Sequence, residues 1–279
     1  MGPRVLVAAA CAVVVGTGCA GAGAAPHATA RAGRGAARGP LHGRTTVAQH
    51  RTIVNPGVHV QRLIPPPGQA FHPTCPARTL IGTAAAPRVV ARTSPDDHAQ
   101  AIASFPRVNE EGSRQVFDLL NEVQGSGGNL WYRALLPMRP NDSLGYIPAG
   151  KLTVQWTDYW VLVERGRFRL TLYRSCRAIA QFPVGIGTGS TPTPVGVFFL
   201  QSLLQPPDPN GVYGEYAYGL SGYSSVIHDW RWGGLVGLHG TNDPSGIGRV
   251  VSHGCIRMLN QDIARLVRVL PLGTPIAIV

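Results

Sequence analysis

Apolar and polar residues alternate with a period of two over much of the chain beyond residue 88, the pattern of strands with one buried face. Residues 88–93 read as a strand, and 115–123 with 130–136 read as a hairpin around the glycine-rich turn at 124–128. Pro140-Asn141-Asp142 makes a turn and residues 145–148 a closing strand. Farther on, 159–164 and 167–173 alternate on either side of Arg165-Gly166, and residues 178–185 continue the meander. A strand at 196–200 follows a Thr/Pro loop, and a short apolar run at 234–238 ends at His239. A helical period is confined to 261–270, where Ile263, Leu266, Val267 and Leu270 share a face and Asn260 is placed to cap. The turn 272–275 then leads to a last strand, 276–279. The expected fold class is mainly β with a short C-terminal helix.

Before residue 80 this periodicity is missing. Residues 26–50 are rich in Ala, Gly and Arg, and 51–80 hold short apolar pieces broken by Pro65-Pro66-Pro67-Gly68 and His72-Pro73. Residues 26–79 are therefore expected to form a disordered or linker tail. Residues 1–25 have the layout of a secretory signal: Arg4, an apolar run at 5–15 too short for a stable bilayer anchor, then small residues. Two processing outcomes stay open. Cleavage near Ala22-Gly23-Ala24 would release a soluble protein, whereas Gly16-Thr17-Gly18-Cys19 resembles a lipoprotein box in which Cys19 is lipidated and anchors the chain to the membrane. Both imply export to the cell envelope.

Charge changes the picture less than its total suggests. The formal net charge is +11, yet no acidic residue precedes Asp96, while ten arginines lie between Arg4 and Arg92. From Asp96 onward 15 basic residues face 14 acidic ones. The excess belongs to the leader and tail, and no stretch interleaves arginine with aromatics, so nucleic acid is not an expected partner. Hydrophobic residues make up 44% and charged ones 14%, with Gly 35 and Pro 24, as in a turn-rich globular chain. Outside the leader and Cys19 there remain Cys75, Cys176 and Cys255. Exported thiols tend to pair, and Cys75 with Cys176 is the pair that leaves Cys255 free.

The stretch 239–258, HGTNDPSGIGRVVSHGCIRM, carries the chemistry. A thiol of ordinary pKa, about 8.5, attacks carbonyls poorly and needs a base nearby. A strand ending at His239, a Gly/Pro/Asn loop and a return at 250–256 can bring His239 and Cys255 face to face across adjacent strands. Gly254 lets the backbone approach a substrate, so the Gly254 and Cys255 amides are expected as an oxyanion hole. Arg257, two residues on, adds positive charge on the same side of a strand as Cys255. A zinc reading of His239, His253 and Cys255, with His228 or Asp229, is opposed by the two-residue spacing of His253 and Cys255. The run 185–190, GIGTGS, lacks the third glycine and the helix of a nucleotide-binding turn.

His239-Gly240-Thr241 followed by Ser252-His253-Gly254-Cys255-Ile256-Arg257 resembles the signature of the L,D-transpeptidase catalytic domain of YkuD type. Thr193-Pro194-Val195-Gly196-Val197-Phe198 and Asn260 with Gly273-Thr274-Pro275 are similar to further segments of that family. The resemblance covers about 152–279 and implies a β-sandwich or barrel-like catalytic domain. Residues 80–151 resemble the SH3-like β modules that precede cell-wall enzymes. By this resemblance Cys255 is the acylated nucleophile and His239 the general base, oriented by the Gly240 carbonyl. Ser252 and His253 shape the site, Arg257 supports the catalytic loop or the acyl donor, and Tyr218 contacts substrate from a mobile flap at 205–222. The implied reaction joins peptidoglycan stem peptides by 3→3 cross-links, needs no metal or other cofactor, and leaves Cys255 open to carbapenems. Transfer to water would make an L,D-carboxypeptidase, and a non-catalytic wall-binding protein is the reading from another class. A monomer is expected.

Overall fold

A computed structural model describes residues 51–55, 74–229 and 233–279. The leader, Cys19 with its two processing outcomes, and most of the tail lie outside the described residues.

The described chain is mainly β. One eight-stranded sheet is built from β1 (Ile53–Val54), β2 (Thr79–Ala84), β3 (Arg88–Arg92), β4 (Ala101–Pro106), β5 (Val116–Gln124), β6 (Leu130–Leu135), β7 (Leu144–Pro148) and β8 (Leu152–Thr157). Its order is β1-β4-β3-β7-β6-β5-β2-β8. A second sheet takes β9 (Tyr159–Glu164), β10 (Arg169–Arg174), β11 (Arg177–Pro183), β13 (Gly196–Leu204), β14 (Ala217–Tyr223), β15 (Leu235–His239), β17 (Ile256–Arg257) and β18 (Pro275–Ile278), in the order β11-β10-β9-β18-β13-β14-β15-β17. Within the stretch that builds the second sheet, β12 (Ile186–Gly187) and β16 (Val250–Ser252) form a separate parallel pair.

Residues 80–151 supply most of the first sheet, and two strands join it from outside that segment. Ile53 and Val54 pair with β4 although they fall in the expected tail. The strand β8 pairs with β2 along its whole length, so the chain passes from the first sheet to the second at Thr157–Tyr159 rather than at 152. Thr157 anchors this crossing, its Oγ1 accepting from the Tyr159 amide at 3.2 Å.

In the second sheet β9 and β10 carry the alternation expected of them, with Val161, Val163, Leu170 and Leu172 turned inward. The cross-strand pair Trp160–Tyr173 places its rings 4.9 Å apart, a contact that helps hold the register. The helix α1 (Asn260–Val267) lies on the same core through Ile263 and Leu266. Its N-cap position is Leu259, which has no side-chain acceptor, so the expected cap at Asn260 is corrected: Asn260 is the first helical residue, and its Oδ1 accepts from the Thr241 amide at 2.9 Å.

The two sheets share apolar contacts. Phe199 of β13 is fully buried among Ile81, Val116, Leu135 and Leu144 of the first sheet. The loop between β6 and β7 reaches farther: the Arg139 guanidinium donates to the carbonyls of Ser224 (2.8 Å), Ile227 (3.1 Å) and Gly233 (2.8 Å) and stacks on Tyr223. Cys75 and Cys176 are joined by a disulfide with 5.6 Å between their Cα atoms, fastening the approach to β2 onto the β10–β11 turn.

Candidate active site

The strand β15 alternates, and on one of its faces stand Leu235, Gly237 and His239. It pairs in parallel with β17, Leu238 opposite Ile256 and His239 opposite Arg257, which sets Cys255 beside Gly237. The Gly237 amide donates to Cys255 Sγ at 3.4 Å. A Cβ at position 237 would sit 3.4 Å from His239 Cδ2 and 3.6 Å from Cys255 Sγ, so thiol and imidazole both border the space that glycine leaves open. Among the described residues Cys255 is the free cysteine, and it is half-buried.

His239 is buried, and its Nδ1 lies 2.6 Å from the carbonyl oxygen of Gly240. A carbonyl can only accept, so Nδ1 carries the ring proton and Nε2 keeps a lone pair. Gly240 can hold this position because it has no side chain: a Cβ there would run into Asn260 Oδ1 and crowd the Gly214 Cα. Burial pulls the His239 pKa down to about 4, opposed by the bond to Gly240 and reinforced by the charge of Arg257. Burial also pushes the Cys255 thiol up, against the Gly237 amide and Arg257, which favour the thiolate. The pair therefore rests as neutral thiol and neutral imidazole.

Gly254 turns the chain into the thiol with φ 116, a conformation suited to glycine. Its amide donates to Ser252 Oγ at 3.1 Å, and Ser252 Oγ donates to the Cys255 carbonyl at 2.6 Å. Of the two amides expected to form an oxyanion hole, that of Gly254 therefore donates within the turn. His253 is exposed on that turn. Arg257 lies close enough to lower the pKa of both Cys255 and His239, and its Nε is buried without a hydrogen-bond partner. The hydroxyl-rich loop after β12 packs behind: Gly187 donates to Thr193 Oγ1 at 2.9 Å, and a Cβ on Gly187 would meet Gly254 Cα at 2.9 Å.

Tyr218 requires correction. It lies within β14, is buried, and donates its hydroxyl to the Leu270 carbonyl at 3.1 Å, so it is a core residue beneath the sheet. The expected flap at 205–222 is correspondingly shorter, because 217–223 is strand. The aromatic at the site is Tyr213, half exposed, whose ring stands edge-on to the His239 imidazole with 5.0 Å between centroids. Sequence reasoning missed it, although the run Tyr213-Gly214-Glu215-Tyr216 carries a signal. Gly214 has φ 65 and nestles against Gly240, which delivers its neighbour to the histidine. Among the described residues no three His, Cys, Asp or Glu side chains converge as metal ligands would.

The family model of the L,D-transpeptidase catalytic domain (YkuD) matches residues 158–278. The chain is 33% identical over 153 residues to the putative L,D-transpeptidase YkuD of Bacillus licheniformis, covering 52% of this chain and 85% of that protein. The chain belongs to the L,D-transpeptidase family. The putative L,D-transpeptidase YkuD of Bacillus subtilis is 35% identical over 120 residues, covering 43% of this chain and 65% of that protein. Among solved structures, an L,D-transpeptidase of Enterococcus faecium shares 22% identity over 44% of this chain and 50% of that one, with a TM-score of 0.35. The family match begins at Asp158, next to the point where the first sheet passes into the second.

Proposed function

We propose that this L,D-transpeptidase is exported to the cell envelope and joins peptidoglycan stem peptides by 3→3 cross-links through an acyl-enzyme on Cys255. The observation that carries this reading is that Cys255 Sγ and the His239 ring border one space at Gly237, with the imidazole tautomer set by the Gly240 carbonyl.

His239 Nε2 takes the proton from Cys255 Sγ, and the sulfur attacks the carbonyl carbon of the third stem residue, a diamino acid. Negative charge develops on the carbonyl oxygen beside the Cys255 amide and in the field of Arg257. The carbon–nitrogen bond to the terminal D-alanine breaks, and its amine leaves with the proton held by His239. A thioester remains. The side-chain amine of a second stem then attacks it, gives up a proton to His239 and forms the cross-link, and the thiol is restored. Tyr213 stands over the imidazole and limits water there, so that an amine rather than water receives the acyl group. A carbapenem, an acylating mimic of the donor, would acylate Cys255.

Product analysis with a disaccharide-tetrapeptide tests this. The wild-type chain should yield cross-linked dimer and Cys255→Ala none, with both proteins folded. Full activity in the variant would remove Cys255 from the mechanism. Tripeptide without dimer would assign the chain to the hydrolytic L,D-carboxypeptidase reaction.

A further inference from the structure

At the seam where β8 passes into β9, a groove of about 430 Å³ runs between that crossing and the segment that follows α1. Trp156, Asp158 and Tyr159 line one wall, and Arg268, Val269 and Pro271 line the other. The volume falls in the range of small-ligand clefts, roughly 300–1,000 Å³. Trp156 is 63% exposed, an unusual position for so large an apolar ring on an edge strand.

Both aromatics of this groove carry an arginine. Arg78 lies over the Trp156 ring at 5.8 Å, and Arg174 lies over Tyr159 at 5.4 Å. Arg174 also pairs with Asp158 at 3.0 Å, which neutralises the acid on the rim and leaves Arg78 and Arg268 in excess. The two stacked arginines come from distant parts of the chain, and the disulfide brings them together. Cys75 lies three residues before Arg78, and Cys176 two residues after Arg174. A crosslink for which the catalytic centre has no use thus assembles two arginine-backed aromatic faces at one groove.

From this arrangement we infer that the groove is a docking site for the glycan strand of the cell wall, separate from the thiol and serving to hold the enzyme on its polymer. Flat amphipathic rings suit the apolar faces of pyranose sugars, while the rim supplies donors to their hydroxyl and acetamido groups. The surplus of arginine complements the carboxylates that a muramic acid strand carries. The occupant is a saccharide polymer with acidic substituents, and this identification rests on the proposed peptidoglycan reaction.

Calorimetric titration of the full, disulfide-intact chain with peptide-free strands of alternating N-acetylglucosamine and N-acetylmuramic acid tests the site. Trp156→Ala should weaken binding by about tenfold or more, and Trp156→Phe by less, because a ring is retained. The unfolding midpoint and the turnover of soluble disaccharide-tetrapeptide should stay unchanged in Trp156→Ala, while turnover on intact sacculi drops. Chitotetraose, which has the rings without the carboxylates, should bind more weakly than the muramic strand. Equal binding by wild type and Trp156→Ala would overturn the proposal. So would absence of binding to either saccharide, or binding confined to an anionic teichoic polymer. Cys255→Ala should bind glycan like the wild type. Retention of cross-linking in Cys255→Ala would therefore sink the acyl-enzyme and leave the glycan site standing.

Discussion

The Gly237 amide points at Cys255 Sγ from 3.4 Å, and both the thiol and the His239 imidazole border the space left by that glycine's missing side chain. A methyl group there would touch both partners at ordinary contact distance, with no clash and no adverse φ. Gly237→Ala should therefore fold with stability within about 1 kcal/mol of wild type. Acylation by a carbapenem, followed by intact mass, should slow by roughly a hundredfold, since the methyl fills the space that thiol and imidazole must share to reach productive geometry. Normal acylation in the folded variant would mean that the proton does not pass between Cys255 and His239 directly.

The buried imidazole should be visible in the pH dependence of stability. His239 titrates at about 4 in the folded chain against an ordinary 6.5, so between these values the unfolded chain binds the proton and the folded one does not. Its contribution consequently rises with pH across that window and is lost as the solution is acidified from 6.5 towards 4. Over this range wild type should gain about 3 kcal/mol relative to His239→Gln in denaturant unfolding. Parallel curves for the two proteins would show a normally hydrated histidine.

Tyr213 and Tyr218 should separate cleanly. Replacing Tyr213 by Ala removes a half-exposed ring, so stability should change by less than about 1 kcal/mol. Wetter surroundings should move the His239 pKa up in an NMR titration, and hydrolysis should gain on cross-linking in the products. Tyr218→Phe loses only the bond to the Leu270 carbonyl, which should cost about 1 kcal/mol and leave the product ratio alone. The reverse pattern would return Tyr218 to the substrate side.

Arg139 joins the β6–β7 loop of the first sheet to the connection between β14 and β15. Its guanidinium satisfies three backbone carbonyls, and a lysine ammonium lacks the fork geometry to do so. Arg139→Ala should lower stability by about 3 kcal/mol, and Arg139→Lys should recover little of it. Hydrogen exchange at the amides of Ser224 and Leu235 should quicken in both variants. Unchanged exchange there would show that this connection holds its shape without the clamp.

Local pattern was enough wherever one strand face meets one core. The strands at β9 and β10 follow from the alternation of 159–164 and 167–173, since Val161, Val163, Leu170 and Leu172 all face the same core. The stretches β2 and β4 were not legible in this way. Thr79–Ala84 and Ala101–Pro106 are built largely of Ala, Gly, Ser and Thr, so few large apolar side chains mark the buried positions and the period of two is faint. Strand β8 does alternate, with Leu152 and Val154 turned to the core, but its membership of the first sheet is decided by pairing with β2.

At the site, chemistry and placement divide along the same line. The residue types in 239–258 already name a thiol, an imidazole and glycine-bearing turns, because those functions belong to side chains and to chain flexibility. Which aromatic reaches His239 was beyond local pattern. Tyr213 and Tyr218 are five residues apart and chemically identical, and β14 pairing sends one beneath the sheet while the Gly214 turn carries the other to the imidazole. Gly237 became meaningful through the same kind of contact, when the parallel pairing of β15 with β17 set Cys255 beside it. Reactive groups are written residue by residue, whereas the distance between two of them depends on strand register, which is settled by pairing across the whole sheet.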